Sequence, residues 1–253
     1  MVAAGTIRSF GARVLAAAGL LLLAGCQSLQ LGGGQAAQLR VMDASPDAGS
    51  VDSYQNGAGL AYNLGPGMVT TYVPLLPGAV SLTASRAGTR QALAVSSGVL
   101  SAGRQYTLLV GNTAAALQQT LWVDQSQPAA AGQIAVRVID EVTREGAVDV
   151  YLVPGTGKLA YTAALATNLS LGGSSGYVSL PAATYAIVVV PAGTTPSSTA
   201  VALLSGTQVS YASGAVRTVV LMDSPLAARP FPESRAEALL LPQVQAVIAD
   251  DAD

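Results

Sequence analysis

The feature that most constrains this chain is an internal repeat. Leu39-Arg40-Val41-Met42-Asp43 lines up with Val136-Arg137-Val138-Ile139-Asp140 at an offset of 97 residues. Gly49, Val51, Asp52 and Tyr54 meet Gly146, Val148, Asp149 and Tyr151 at the same offset. Tyr72-Val73 and Ala87-Gly88-Thr89 recur as Tyr177-Val178 and Ala192-Gly193-Thr194 at 105, and Gly103 and Thr107-Leu108 recur as Gly214 and Thr218-Val219 at 111. A widening offset is what longer loops in the second copy produce. The fold therefore has to be solved once and applied twice. The copies span residues 38–124 and 134–224, joined by a linker over 125–133 that carries Pro128 and three alanines, and a non-repeating tail covers 225–253.

Within each copy, short runs rich in Val, Leu, Thr and Tyr alternate with Gly, Pro, Asn, Asp and Ser clusters, the pattern of strands joined by tight turns. Strands are expected near 38–43, 51–56, 60–64, 69–75, 79–85, 91–99, 105–111 and 119–124 in copy one. In copy two they are expected near 134–140, 147–153, 159–165, 176–180, 184–190, 200–209 and 215–222. Neither copy contains a long amphipathic helical stretch. Seven or eight short strands per copy predict an all-β chain of two tandem immunoglobulin-like β-sandwiches, with a small barrel as the alternative. The Cys pair and core Trp of antibody domains are missing, so architecture alone is implied. One Cys permits no internal disulfide, and each sandwich must stand on core burial and sheet hydrogen bonding.

Residues 1–25 read as a signal peptide. Arg8 and Arg13 supply a positive start, Val14 to Leu23 an uncharged apolar run, and Ala24 and Gly25 the small residues before Cys26. The run is too short for a spanning helix, which needs about 20 residues. Leu23-Ala24-Gly25-Cys26 resembles the bacterial lipobox. That resemblance implies cleavage between Gly25 and Cys26, a diacylglyceryl group on the Cys26 thiol and an acylated new amino terminus, palmitate being the type of chain expected. Two or more chains give lasting attachment where one gives only marginal binding. Gln27 stands where an Asp tends to retain such proteins in the inner membrane, so the resemblance implies an outer-membrane location. Residues 26–37, with Gly32-Gly33-Gly34, form a flexible tether.

The stretch from Leu39 to Gly57, with Arg40-Val41, Ala44-Ser45-Pro46-Asp47-Ala48 and Val51-Asp52-Ser53-Tyr54, is similar to the opening of a widespread bacterial and archaeal domain of unknown function. Such domains occur as tandem sandwiches in secreted and anchored envelope proteins. The resemblance covers 38–124 well. Copy two keeps Arg137-Val138 and Val148-Asp149-Val150-Tyr151 but has Glu141 to Glu145 in place of the Ser-Pro-Asp turn. The resemblance brings no catalytic residues.

Chemistry-bearing residues are few. There is no His, which removes the commonest general base and metal ligand, and the one Lys is Lys158. Gly155-Thr156-Gly157-Lys158 lacks the full phosphate-loop pattern and its helix. No serine has an evident activating base. No enzyme, cofactor or metal is therefore expected. Asp43, Asp47 and Asp52 cluster in sequence and could be weighed as calcium ligands, but Ser45-Pro46-Asp47 suits a turn closed by its own backbone. Asp52 and Asp149, repeated on strands, are expected to make a shared structural bond, with Arg40 and Arg137 as candidate partners. Tyr54/Tyr151 and Tyr72/Tyr177, also repeated, are expected to pack with bonded hydroxyls. Trp122 is unmatched and lies near the boundary between copies, which makes it the candidate ligand-contacting aromatic. Removing the leader takes away Arg8 and Arg13 and leaves 10 basic against 14 acidic groups with no basic cluster, which excludes a nucleic-acid surface. In the tail, Glu233 to Leu241 is expected to form a short helix ended by Pro242. The tail is expected to be partly disordered or, through Leu239 to Leu241 and Val244 to Ile248, to dock. The expected function is a non-enzymatic binding or scaffolding module held to the membrane by lipid, with an envelope protein or a polysaccharide as partner. The alternative is an accessory to exopolysaccharide modification or export.

Overall fold

The first copy contributes β1 (Ala37–Asp43), β2 (Val51–Gln55), β3 (Ala58–Leu64), β4 (Val73–Leu75), β5 (Gly78–Arg86), β6 (Ala92–Leu100), β7 (Gln105–Gly111) and β8 (Gln118–Asp124). The second contributes β9 (Gln133–Glu141), β10 (Val148–Pro154), β11 (Ala164–Leu169), β12 (Ser174–Pro181), β13 (Thr184–Pro191), β14 (Leu204–Ser210), β15 (Val216–Asp223) and β16 (Val244–Asp250). This computed structural model describes residues 35–224 and 243–252. Gly25, Cys26, the tether glycines and the helix expected over 233–241 lie outside the described residues.

Each copy is a sandwich of two four-stranded sheets. The first pairs β4-β1-β7-β8 and β3-β2-β5-β6; the second pairs β12-β9-β15-β16 and β11-β10-β13-β14, the same order strand for strand. β1 with β7 and β9 with β15 run parallel, and the other neighbours are antiparallel. The tandem sandwiches are as expected, but the strand order is not that of antibody constant domains, whose sheets hold four and three strands.

Alternation of side chains along each strand explains the layering. From β1 and β7, Leu39, Val41, Tyr106, Leu108 and Val110 point into the first core, and from β9 and β15, Ile134, Val136, Val138, Val219 and Leu221 point into the second. The intervening residues of these strands are buried too. Met42, Leu109, Ile139, Val220 and Met222 form a third apolar cluster with Ala44. The β1 and β9 sheets are thus covered on both faces, and the chain stacks as four sheets with the two copies face to face at the middle. Continuous burial along β7 and β15 follows from this, as two-sided cover demands a near-unbroken apolar run.

Two expectations for copy two are corrected. The strand placed at 159–165 is displaced: Leu159–Tyr161 is a 3-10 turn and β11 starts at Ala164. Leu159 instead covers the outer face of β10 and β13, against Tyr151, Val153, Val188 and Val190. The boundary at 224 also falls inside the second sandwich. Val244 to Asp250, assigned to the tail, pair along β15 from Asp223 to Arg217 as the edge strand β16. Val244, Ala246 and Ile248 pack on the second core, so this segment docks on its own domain.

Candidate functional site

The charged residues that the repeat singles out converge between the copies. Arg40 sits on β1 opposite Thr107 of β7, which sits opposite Trp122 of β8. The second copy places Arg137, Thr218 and Ala249 in the same row. Each row faces the other across the inter-copy layer, and the charges exchange partners. Arg137 donates through Nη2 to Asp124 Oδ1 at 2.5 Å and through Nη1 to the Val123 carbonyl at 2.9 Å, both in the first copy. Arg40 donates to Asp251 Oδ1 and, at 2.5 Å, to the Asp250 carbonyl, both in the second. Each guanidinium also bonds its own copy's threonine, Arg40 Nε to Thr107 Oγ1 at 2.9 Å and Arg137 Nε to Thr218 Oγ1 at 3.1 Å.

The carboxylates are completed by hydroxyls. Asp124 Oδ2 accepts from Tyr72 at 2.8 Å and Thr107 at 2.6 Å, and Asp251 Oδ2 from Tyr177 at 2.8 Å and Thr218 at 2.7 Å. Burial pushes the Tyr72 phenol above its ordinary range, with Asp124 adding to the effect. Burial does the same at Tyr177 against the opposing pull of Arg137. Both remain neutral donors. Burial also raises the Asp251 carboxyl, while Arg40, Thr218 and Tyr177 hold it down. Arg40, Arg137, Asp124 and Asp251 are all at most 4% exposed. Four charges out of water are tolerable only because they cancel in pairs and because each carboxylate is also hydrogen-bonded.

A second polar group lies at the end of the same layer. Asp43 Oδ1 accepts from the Ser45 amide at 2.9 Å, and Asp140 Oδ1 accepts from Val142 at 3.0 Å. These are equivalent Asx turns. Glu141 reaches across to the first copy and accepts from the Asn112 amide at 3.2 Å. Burial raises Asp43 to about 7, against the Ser45 amide, and Glu141 to about 7, against Asn112. It raises Asp140 to about 6, with Val142 opposing and Asp223 adding.

Residues 37–151 match the model of a domain of unknown function, DUF4397. The DUF4397 match takes in the whole first sandwich and runs through β9 into β10. It holds Arg40, Thr107, Asp124 and Arg137, while Thr218 and Asp251 lie beyond it. No curated protein matches. Among solved structures, the Bacillus anthracis TIE protein is similar at 10% identity and a TM-score of 0.24, over 74% of this chain and 34% of that one. The chain thus spans about a third of that protein's length.

The remaining sequence candidates are placed as follows. Asp52 and Asp149 do make a shared structural bond, but their partners are backbone amides rather than Arg40 and Arg137. Asp52 accepts from Asn63 at 2.8 Å and Gly88 at 2.9 Å, and Asp149 from Asn168 at 2.7 Å and Gly193 at 2.9 Å. All four donors have positive φ, so each carboxylate clamps two left-handed turns. Asp47 accepts from the Ala114 amide at 2.7 Å, so Asp43, Asp47 and Asp52 serve three separate stretches of backbone. Among the described residues no three His, Cys, Asp or Glu are grouped to hold a metal. Lys158 leads into the 3-10 turn. Trp122 is turned into the inter-copy layer against the Met42–Met222 cluster, with Arg137 5.8 Å from its ring centroid. The sequence did not single out Asp124 and Asp251. The signal for them was there: Asp124 ends Trp122-Val123-Asp124 and Asp251 ends Ala249-Asp250-Asp251, but at an offset of 127.

Proposed function

We propose that this protein is a lipid-anchored, non-enzymatic binding module of the cell envelope. Cys26 would carry the lipid, cleavage would fall after Gly25, and Gln27 would send it to the outer membrane. The observation that carries the reading is an edge strand with exposed apolar side chains. β6 ends its sheet, and Val95 and Val99 on it are 66% and 67% exposed. Apolar side chains on an open strand edge are a recognition surface for an added strand, since main-chain bonds supply affinity and alternate side chains supply selectivity. The buried pairs between the copies join the two sandwiches into one platform behind that edge, while the arginines and aspartates that could do chemistry are consumed in holding it together.

The test has two arms. Labelled palmitate should enter the wild-type chain and not Cys26→Ser, which should leave the membrane fraction. A photo-crosslinking residue at position 95 or 99 should give discrete protein adducts in envelope preparations that survive glycan-degrading enzymes. One placed at Tyr161, exposed on the other sandwich, should not. Recovery of polysaccharide with no specific protein would replace this reading with the polysaccharide-accessory one. Unchanged palmitate labelling in Cys26→Ser would remove the anchor.

A further inference from the structure

The two sandwiches share a strand order but not the edges of their outer sheets. Registered through β5 and β13, Val95 of β6 corresponds to Ser205 of β14, Ser97 to Gln208 and Val99 to Ser210. The exposed valines are therefore no demand of the fold, because the second copy meets the same positions with polar side chains. The other outer edges also break their pairing. Register shifts interrupt β3 against β2, β11 against β10, and β14 against β13. Bulges, charges and prolines are how sheet edges avoid pairing with further strands. From Ala94 to Leu100, β6 has none of them. Its register with β5 runs unbroken from Gly78↔Leu100 to Ala84↔Ala94, and no residue of that run is charged or proline.

The spacing of the outward side chains selects the partner. Val95, Ser97 and Val99 alternate on one face and are all exposed. A two-fold axis through Ser97 lays β6 antiparallel on its own equivalent. Val95 then meets Val99 of the partner subunit, and Ser97 meets Ser97 of the partner subunit. An axis through Val95 would set Val99 against Gln91, and one through Val99 would set Val95 against Gly103. Only the register centred on Ser97 pairs both valines with valines, covering side chains that are 66% and 67% exposed in the single chain. Cross-strand pairs of this kind stabilise a ladder, and no like charges face each other within it. We propose that the strand accepted by β6 is β6 of a second copy of this chain, which joins two four-stranded sheets into one continuous sheet. The inference rests on the reading of β6 as a strand-accepting edge. One strand pairing is a small interface, and lipid anchoring at Cys26 would raise the effective concentration of chains on one surface.

The test is disulfide formation by the full chain in the envelope, read on a non-reducing gel after mild oxidation, with the wild type as the control for Cys26. Ser97→Cys places a thiol on the axis, about 4.5–5.5 Å from its equivalent between Cα atoms, within reach of a disulfide. It should give a band at twice the chain mass. Ser81→Cys, exposed on the neighbouring strand, stands three strand spacings from its equivalent, about 14 Å, and should give at least tenfold less. Val95→Cys and Val99→Cys each lie about 13 Å along the strand from their own equivalents. Each should stay monomeric alone, and the two should link when expressed together. A photo-crosslinking residue at position 95 should give an adduct of twice the chain mass that carries the peptide of Val99. A monomeric Ser97→Cys would overturn the proposal, as would equal dimer from Ser81→Cys. If Ser97→Cys does not fold, the adduct at position 95 decides, and its absence overturns the proposal. Adducts to a different protein from positions 95 and 99, beside a monomeric Ser97→Cys, would overturn this inference and leave the strand-accepting edge standing. No adducts of any kind would remove both.

Discussion

Replacing Arg137 by Met tests whether the exchanged pairs hold the copies together. The Met side chain keeps much of the apolar stem and removes the guanidinium. Asp124 then keeps only its bonds from Thr107 and Tyr72, with Arg40 4.0 Å away, and the Val123 carbonyl loses its partner. Breaking a buried pair by removing one member costs about 3–5 kcal/mol, and the Val123 carbonyl, on a half-exposed residue, turns to water. The expected loss is therefore about 3–5 kcal/mol, a large part of the roughly 5–15 kcal/mol that holds a domain folded. Urea unfolding followed by two probes reads it. Trp122, the only Trp, sits in the inter-copy layer, so its fluorescence reports that layer, while far-ultraviolet circular dichroism reports all strands. The wild type should give coincident transitions. In Arg137→Met the fluorescence midpoint should fall below the dichroism midpoint, because the layer opens before the sandwiches melt. The double variant Arg137→Met/Asp124→Leu should recover most of the loss, since neither charge is then left buried alone. A loss below about 1 kcal/mol with coincident probes would refute the reasoning, because that is the cost of a solvated surface pair.

Deleting residues 225–253 should do more than trim an end. It removes β16, exposes the edge of β15 and leaves Arg40 without Asp251, so the truncated chain should aggregate or lose its cooperative transition on heating. Asp52→Asn and Asp149→Asn should each cost about 1–3 kcal/mol in urea unfolding, as a clamping carboxylate is lost. The two losses should add, because the residues lie in different sandwiches. Stability should also fall with rising pH. Asp43, Asp140 and Glu141 have folded values raised to about 7, 6 and 7, so between the ordinary carboxylate range and those values the native state binds more protons than the unfolded one. Their contribution is complete below about pH 4, is lost as pH climbs to about 7, and is flat beyond about 8. Urea midpoints from pH 4 to 9 should trace that decline, and Asp43→Asn should shallow it. A midpoint independent of pH would mean that these carboxyls are solvated.

The strands of the first copy were legible to within two residues at each end, apart from β4, expected over 69–75 and confined to Val73–Leu75, because alternation and turn residues are local signals. β16 was hidden by the long stretch that separates it from β15, across which periodicity says nothing about pairing. The repeated arginines were visible, and the error lay in choosing partners from the same copy. Asp52 and Asp149 are carboxylates repeated on strands, yet they stand on β2 and β10, in the opposite sheet of each sandwich from the arginines, where left-handed turns need acceptors. There was nonetheless a signal that the true partners were elsewhere. Arg137 stands among Ile, Ala and Val in a strand with no polar alternation, and the residues after Arg40 in its strand, Val41 and Met42, are both apolar. A charge in such a strand must face a covered surface, and one sandwich covers only one face of its sheet. In a chain built of two like units, the remaining cover is the other unit, and equivalence then requires each Arg to meet the other copy's Asp.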